Sequence, residues 1–427
     1  MDLELNTKLL VGRFCLKTNK KISVVIISGS VGKTPEDIAH SFVFNEAYRL
    51  ACEGIDVHVV RSKIEKDELS YRIHFYGIER KIDARALYLF LNNIFAYPPI
   101  SLLRKPTLLY WDNLYALKVI RVVKEHNIDL IHAHFAYPEG LVGLLTKRRT
   151  KKPLILTLHG YDILTEPSVN FGLRLSKRYD VLIRHVIKRA DAIIVNSKAV
   201  YLEALKSGAS KEKLHLIPLG VDLEEFNLTK SRSSEALKRR FGIQDKYIVF
   251  TLKAHEPRYR IEDVIKAASL VLKRRRDIVF LIGGQGSLKL YHKKLANVLG
   301  VSNNIIFLPK IPSKKLPLFY SMCDIFVNPA LGEGFGMVTA EAMAMGKPVI
   351  AIKRYGSIDL ISDYRNGFLV DPMNPRQIAE KILWLIEHPD EAKRMGINGR
   401  RIIEEKFDVK KRINKIINLY KRILNSS

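Results

Sequence analysis

The sequence predicts an α/β protein built from two doubly wound parallel sheets. Three observations lead there. Short apolar runs alternate with helix-spaced stretches along nearly the whole chain, the order of repeated strand–helix units. Many of the runs are continuous rather than alternating, as in strands covered by helices on both faces. A length of 427 residues exceeds what one core ordinarily organises, so two domains are expected.

Taken in order, Ile22–Ser28 is the first strand. Helical spacing follows through Ile38, Phe42, residues 44–47, Leu50 and Ala51. Ile55–Arg61, Tyr71–Tyr76, Ile128–His134, Leu154–His159, Ala192–Asn196 and Leu214–Pro218 continue the first series. Leu219-Gly220-Val221-Asp222 closes it, and the polar stretch Asn227–Arg240 separates it from the next, so the boundary falls between Pro218 and Tyr247. The second series is Tyr247–Leu252, Ile278–Gly283, Ile305–Leu308, Ile325–Asn328, Val349–Ile352 and Gly367–Val370, with helical spacing at Ile261–Leu272 and Ile378–Ile386. The tail Phe407–Leu424 carries Ile413, Ile416, Ile417, Tyr420 and Ile423 at helical spacing among lysines and arginines, an amphipathic helix.

Lysine and arginine outnumber aspartate and glutamate by 71 to 44, a net charge of +27. Such a charge suits anionic lipid, nucleic acid or a polyphosphate substrate, and equally a solvated basic surface. No nucleic-acid-binding module is legible, so nucleic acid is not an expected partner. No apolar run reaches the ~18 residues that span a bilayer. Met1–Lys21 lacks the apolar core and cleavage site of a signal peptide. Cys15, Cys52 and Cys323 are far apart and fit neither a disulfide framework nor a metal site. A cytoplasmic location is therefore expected.

The chemistry concentrates where Ile325–Asn328 gives way to a glycine loop and a helix. Glu333 and Glu341 bracket that loop and the helix start. Amides at a glycine-rich helix N-terminus attract an anion, and a carboxylate accepts hydrogen bonds from neighbouring hydroxyls. Together they suit a nucleotide-sugar. Lys253 and Arg258, after the first strand of the second series, offer positive charge for a diphosphate leaving group. His159 ends a strand, where open α/β sheets form their clefts. His132 and His134 share one strand face, and no third metal ligand is obvious beside them. Gly29-Ser30-Val31-Gly32-Lys33-Thr34 imitates a phosphate-binding P-loop, but Ile27 stands where that motif needs glycine. It reads as the loop after the first strand. The segment Phe95–Pro106 with Leu108, Leu109, Tyr110 and Trp111, and the basic stretch Leu173–Arg189, each fit a membrane surface or a helix with one buried face.

Glu333–Glu341, with Asn328-Pro329 before it and Glu341–Ala351 after it, resembles the E-x7-E signature of retaining glycosyltransferase family 4. Ile131–Phe135, Thr157–Asp162, Ile217–Asp222, Asn366–Val370 and Phe407–Tyr420 resemble other segments of that family, so the likeness spans most of the chain. It implies the GT-B fold, two Rossmann-like domains facing a central cleft. The acceptor-side domain would be 1–225, joined by the last helix at 407–427, and the nucleotide-sugar domain 226–406. Glu333 would contact donor sugar hydroxyls, and the backbone at Gly334, Phe335, Gly336 and Met337 the sugar and phosphate oxygens. Glu341 would hold the ribose. The family places arginine where Lys253 stands, lysine where Tyr259 stands and glycine where Arg260 stands, leaving open whether Arg258 or Arg260 carries the second charge. His159 would lie beside the reacting sugar, with Gly29, Gly32 and His134 on the acceptor-side loop. The family normally needs no metal, so no resident cofactor is expected, only the nucleotide-sugar as co-substrate. The implied partners are that donor, a glycan or lipid-linked acceptor and an anionic membrane at its inner face. A non-enzymatic nucleic-acid-binding protein, or a sugar phosphorylase or nucleotide-sugar epimerase of the same architecture, is the alternative.

Overall fold

The computed structural model describes residues 21–29, 31, 41–62, 67–78, 82–93, 97–98, 106–228 and 234–426. Gly32, Cys15 and most of the segment 95–105 lie outside the described residues.

The first sheet comprises β1 Ser23–Ile27, β2 Asp56–Val60, β3 Glu68–Ser70, β4 Ile73–Tyr76, β5 Leu130–His134, β6 Leu154–Leu158, β7 Ala192–Val195 and β8 Leu214–Leu216. Their spatial order is β3-β4-β2-β1-β5-β6-β7-β8. The second comprises β9 Tyr247–Leu252, β10 Ile278–Gly283, β11 Ile305–Phe307, β12 Ile325–Asn328, β13 Val349–Ile352 and β14 Gly367–Val370, in the order β11-β10-β9-β12-β13-β14. Neighbouring strands run parallel except β3, which is antiparallel to β4. That edge strand departs from the wholly parallel expectation. Tyr71 and Arg72 both take positive φ and form its hairpin turn, so β4 begins at Ile73 rather than Tyr71.

All residues of β1, β5 and β6 are buried, which explains why they read as continuous apolar runs. Each sheet has apolar cores formed with the helices that cover it. In each, the strand order reverses beside the first strand: β1 lies between β2 and β5, and β9 between β10 and β12. Crevices open at the carboxyl ends of strands at such switch points. They place the loops after β1, β5, β6, β9 and β12 where chemistry is expected.

The helix Val409–Asn425 packs on the first sheet, although it follows the second in sequence. Its Ile413, Ile416, Leu419 and Tyr420 share a core with Val24, Ile26 and Leu130. Arg412 holds Glu46 of the helix Ser41–Cys52 at 2.5 Å, both side chains no more than 4% exposed. The Tyr420 hydroxyl meets Nδ1 of His132 at 2.6 Å. The chain therefore crosses between the sheets twice, and the crossings are bonded together. Val221 N–H donates to the Phe407 carbonyl at 2.7 Å, and Val409 N–H to that of Val221 at 3.1 Å.

Further contacts join the halves beside the cleft. Arg354 pairs with Glu166, the Tyr355 hydroxyl donates to the Thr165 carbonyl at 3.0 Å, and Lys198 N–H donates to Asp359 at 2.6 Å. Among the described residues no helix is long and apolar enough to cross a membrane. Part of the basic stretch 173–189 is committed internally: Arg174 pairs with Asp180 and Glu203, Arg184 pairs with Asp180, and Arg178 is buried. Lys177, Lys188 and Arg189 are exposed.

Candidate active site

The loop after β12 is fixed by one side chain. Asn328 Nδ2 donates to Glu333 at 2.9 Å and to the Thr339 hydroxyl at 2.8 Å, while its Oδ1 accepts from Ala330 N–H at 3.2 Å. The loop ends at Gly336, whose φ of 103° caps the helix Met337–Ala344. Only glycine adopts that conformation without strain. The helix start leaves the amides of Met337, Val338 and Thr339 without intrahelical acceptors, an anion-binding end. Glu341 stands one turn further in, where the Tyr320 hydroxyl donates to it at 2.8 Å. Burial, with help from Glu225 and Glu333, pushes its carboxyl up to about 7, against the pull of Tyr320 and Lys253.

Lys253, at the end of β9, meets Glu333 at 2.5 Å; the lysine is 4% exposed and the glutamate 23%. Glu333 thus has one oxygen on Lys253 and the other on Asn328. Arg258 and Arg260 differ in their partners. Arg260 binds Glu262 at 2.7 Å and Asp263 at 2.9 Å, and its φ of 47° occupies the glycine-like conformation. Arg258 instead lies over the rings of Tyr259, Phe171 and Tyr161, at 4.6, 5.5 and 6.0 Å. Two of those rings belong to the facing half. Its buried Nε has no hydrogen-bond partner among the described residues, a donor placed to receive an anionic oxygen.

Across the cleft, His159 leads out of β6. Asp162 braces this turn, accepting from the amides of His159 and Gly160 at 3.0 Å each and from Ala136 at 2.9 Å. The His159 ring packs on Phe42 and Phe135, and its Nε2 lies 3.0 Å from His134 Nδ1. His134 Nε2 in turn faces Glu46 at 3.4 Å. Gly29 donates its amide to buried Glu139 at 2.8 Å. Burial pushes the Glu139 carboxyl up to about 8, the Asp162 and Asp112 charges adding to the effect.

The two glycine loops touch. A Cβ on Gly160 would lie 2.6 Å from the Gly334 Cα, and one on Gly334 would lie 2.1 Å from the His159 carbonyl oxygen. The fold therefore brings Gly334, the residue after Glu333, against the His159 backbone. Glu341 and the amide of Met337 lie deeper in the second half, beyond the Phe335–Gly336 turn.

Several residues at the site were not assigned from sequence. Asn328 was visible beside the signature but carried no role. Glu46 is the third ligand-type side chain that was not obvious beside His132 and His134, and its atoms fall within 4.8 Å of theirs. Arg412 already neutralises it, and both His132 nitrogens are taken, by Tyr420 and by the Thr157 hydroxyl at 2.7 Å. Tyr320 reaches Glu341 from another helix, and nothing in its local sequence marks it.

Two doubly wound sheets facing such a cleft are the GT-B architecture. A family model described as "Glycosyltransferase Family 4" matches residues 39–225, and one described as "Glycosyl transferases group 1" matches residues 233–402. An uncharacterized glycosyltransferase of Methanocaldococcus jannaschii is 30% identical over 305 residues, 71% of this chain and 78% of that one. The chain belongs to glycosyltransferase family 4. A GDP-mannose-dependent alpha-(1-6)-phosphatidylinositol monomannoside mannosyltransferase of Mycolicibacterium smegmatis is 25% identical over 311 residues, 71% of this chain and 77% of its own. Among solved structures, HepE of Anabaena in complex with UDP-glucose superposes with a TM-score of 0.73 at 18% identity, covering 94% of this chain and all of that one. Sucrose-phosphate synthase of Thermosynechococcus elongatus gives 0.76 at 19% identity, covering 95% and 100%.

Proposed function

We propose that this glycosyltransferase moves a hexose from a nucleotide-sugar to a glycan or lipid-linked acceptor with retention of anomeric configuration. The observation that carries the reading is the convergence of Glu333, Lys253 and Arg258 at the mouth of the second sheet, with His159 facing them. The diphosphate lies against the amides at the start of the helix Met337–Ala344, between Lys253 and Arg258. Glu341 accepts from the ribose hydroxyls and Glu333 from the sugar hydroxyls. Lys253 and Arg258 supply the charge that stabilises the departing diphosphate, so transfer runs without a resident metal. The acceptor hydroxyl attacks the anomeric carbon on the face the diphosphate leaves, and its proton passes to the departing phosphate oxygen. His159 positions the sugar, and contact between the glycine loops excludes water.

The acceptor enters from the Gly29 and His134 side. An anionic membrane suits the exposed Lys177, Lys188 and Arg189, and the nearby groove lined by Leu141, Leu144, Leu145, Lys147, Arg148 and Lys151. The M. smegmatis relative named for a phosphatidylinositol substrate supports a lipid-linked acceptor.

The test is a binding panel of UDP-, GDP- and ADP-sugars. It is followed by mass spectrometry with lipid and oligosaccharide acceptors and by NMR of the product's anomeric proton. Glu341→Ala is expected to weaken nucleotide binding, and Glu333→Ala mainly to lower turnover. Transfer at the parent rate by both variants, or an inverted product, refutes the assignment.

A further inference from the structure

We propose that Asp56, His58 and His74 form a site for a divalent transition-metal ion of the zinc class, away from the cleft. His58 and His74 are register partners on β2 and β4, and Asp56 lies two residues before His58, so all three side chains project from one face of the sheet. The two imidazoles stack at 4.7 Å with an 11° interplanar angle. His58 Nε2 lies 3.4 Å from Asp56 Oδ2. One ligand atom from each of the three falls within 4.8 Å of the others. A tetrahedral ion with bonds of about 2.1 Å holds adjacent ligands roughly 3.4 Å apart. Asp56 and His74 are partly exposed and can make that small adjustment, while His58 is buried and fixed.

What fixes His58 also prepares it. Its Nδ1 meets the Tyr76 hydroxyl at 2.9 Å, and the same hydroxyl meets His126 Nε2 at 3.0 Å. In the metal-binding tautomer Tyr76 accepts from His58 Nδ1–H and donates to His126. His58 Nε2 then turns a lone pair toward the Asp56 carboxylate. Two acceptors facing each other want a cation between them. A hydrogen bond to the second ring nitrogen is the usual outer support of a ligating histidine. The exposed His126 ring lies 4.7 Å from that of His58.

The other cluster of ligating type, Glu46 with His132 and His134, lacks these features, because Arg412 holds its carboxylate and His132 has no nitrogen to spare. Asp56 pairs with no lysine or arginine among the described residues. Imidazole and carboxylate ligands together suit zinc, nickel or copper. Asp56 opens β2, at the end opposite the cleft, so the ion would tie β2 to β4 and take no part in transfer.

The test uses the full chain without a histidine tag, stripped with chelator and titrated with ZnCl2 by calorimetry and with CoCl2 by absorption. One ion per chain with micromolar or tighter affinity, and a cobalt spectrum of tetrahedral intensity, are expected. His74→Ala and Asp56→Asn should each weaken zinc by at least ~10-fold, whereas His134→Gln should leave it unchanged. Both variants alter partly exposed side chains, and circular dichroism verifies their fold. Failure to bind zinc below millimolar concentration, parent-like affinity in both variants, or loss tracking His134→Gln overturns the proposal.

Discussion

Replacing Gly334 by alanine tests whether contact of the two glycine loops belongs to the active arrangement. The new methyl would sit 2.1 Å from the His159 carbonyl oxygen, against an ordinary contact of 3.4–4 Å. The loops must part by about 1.3 Å or more. Neither side can yield by turning a side chain, because backbone meets backbone. Gly334 does not occupy the positive-φ region, so alanine adds no backbone strain there. A displacement of about 1 Å between reacting groups costs on the order of 100-fold in rate, or about 2.7 kcal/mol. On the proposed assignment nucleotide binding draws on the second half, through Glu341 and the helix start, and should change by less than ~3-fold. Steady-state kinetics give kcat, and calorimetry with the nucleoside diphosphate gives Kd. A parent-like kcat refutes the closure argument. An equal loss in both quantities shows instead that the methyl has damaged the donor site directly.

Glu341 gives the pH dependence its sign. Its carboxyl, raised to about 7, keeps its proton below that pH, and only the ionised form accepts from two hydroxyls. Nucleotide affinity should therefore rise about 10-fold between roughly pH 6 and pH 8 in calorimetric titrations, and Glu341→Gln should flatten the profile. Arg258→Ala should lower kcat by about 10²–10³ in steady-state assays, whereas Arg260→Ala should act on stability and leave kcat near its parent value. Arg412→Ala strands buried Glu46 and should cost about 3–5 kcal/mol in urea unfolding. Arg354→Ala removes an ion pair whose arginine is 43% exposed, and its effect on stability should not exceed about 1 kcal/mol.

Residues whose environment is set by neighbours in sequence were legible, and those set by distant ones were not. The parallel strands declared themselves because burial on both faces demands uninterrupted apolar residues. β3 did not: Glu68-Leu69-Ser70 is a short edge strand whose Leu69 is 66% exposed, and it carries no such demand. The Glu333 loop stood out because strand, glycines, helix and acids are contiguous. Arg260 against Arg258 could not be separated, since both are arginines on one turn and only their partners differ. The supports of the site come from far along the chain. Tyr320 lies 21 residues from Glu341, and Arg412 lies 366 from Glu46. No local pattern encodes such a meeting.

The helix Val409–Asn425 has a consequence for biosynthesis. It supplies the last wall of a core whose other walls were translated several hundred residues earlier. During synthesis the leading half must wait, with an unneutralised Glu46 and an open apolar face around Val24 and Leu130, until residues 409–425 emerge from the ribosome. The trailing half closes its own core with Ile403 and Phe407, translated just before that helix. The nascent leading half is where a holding chaperone would be engaged.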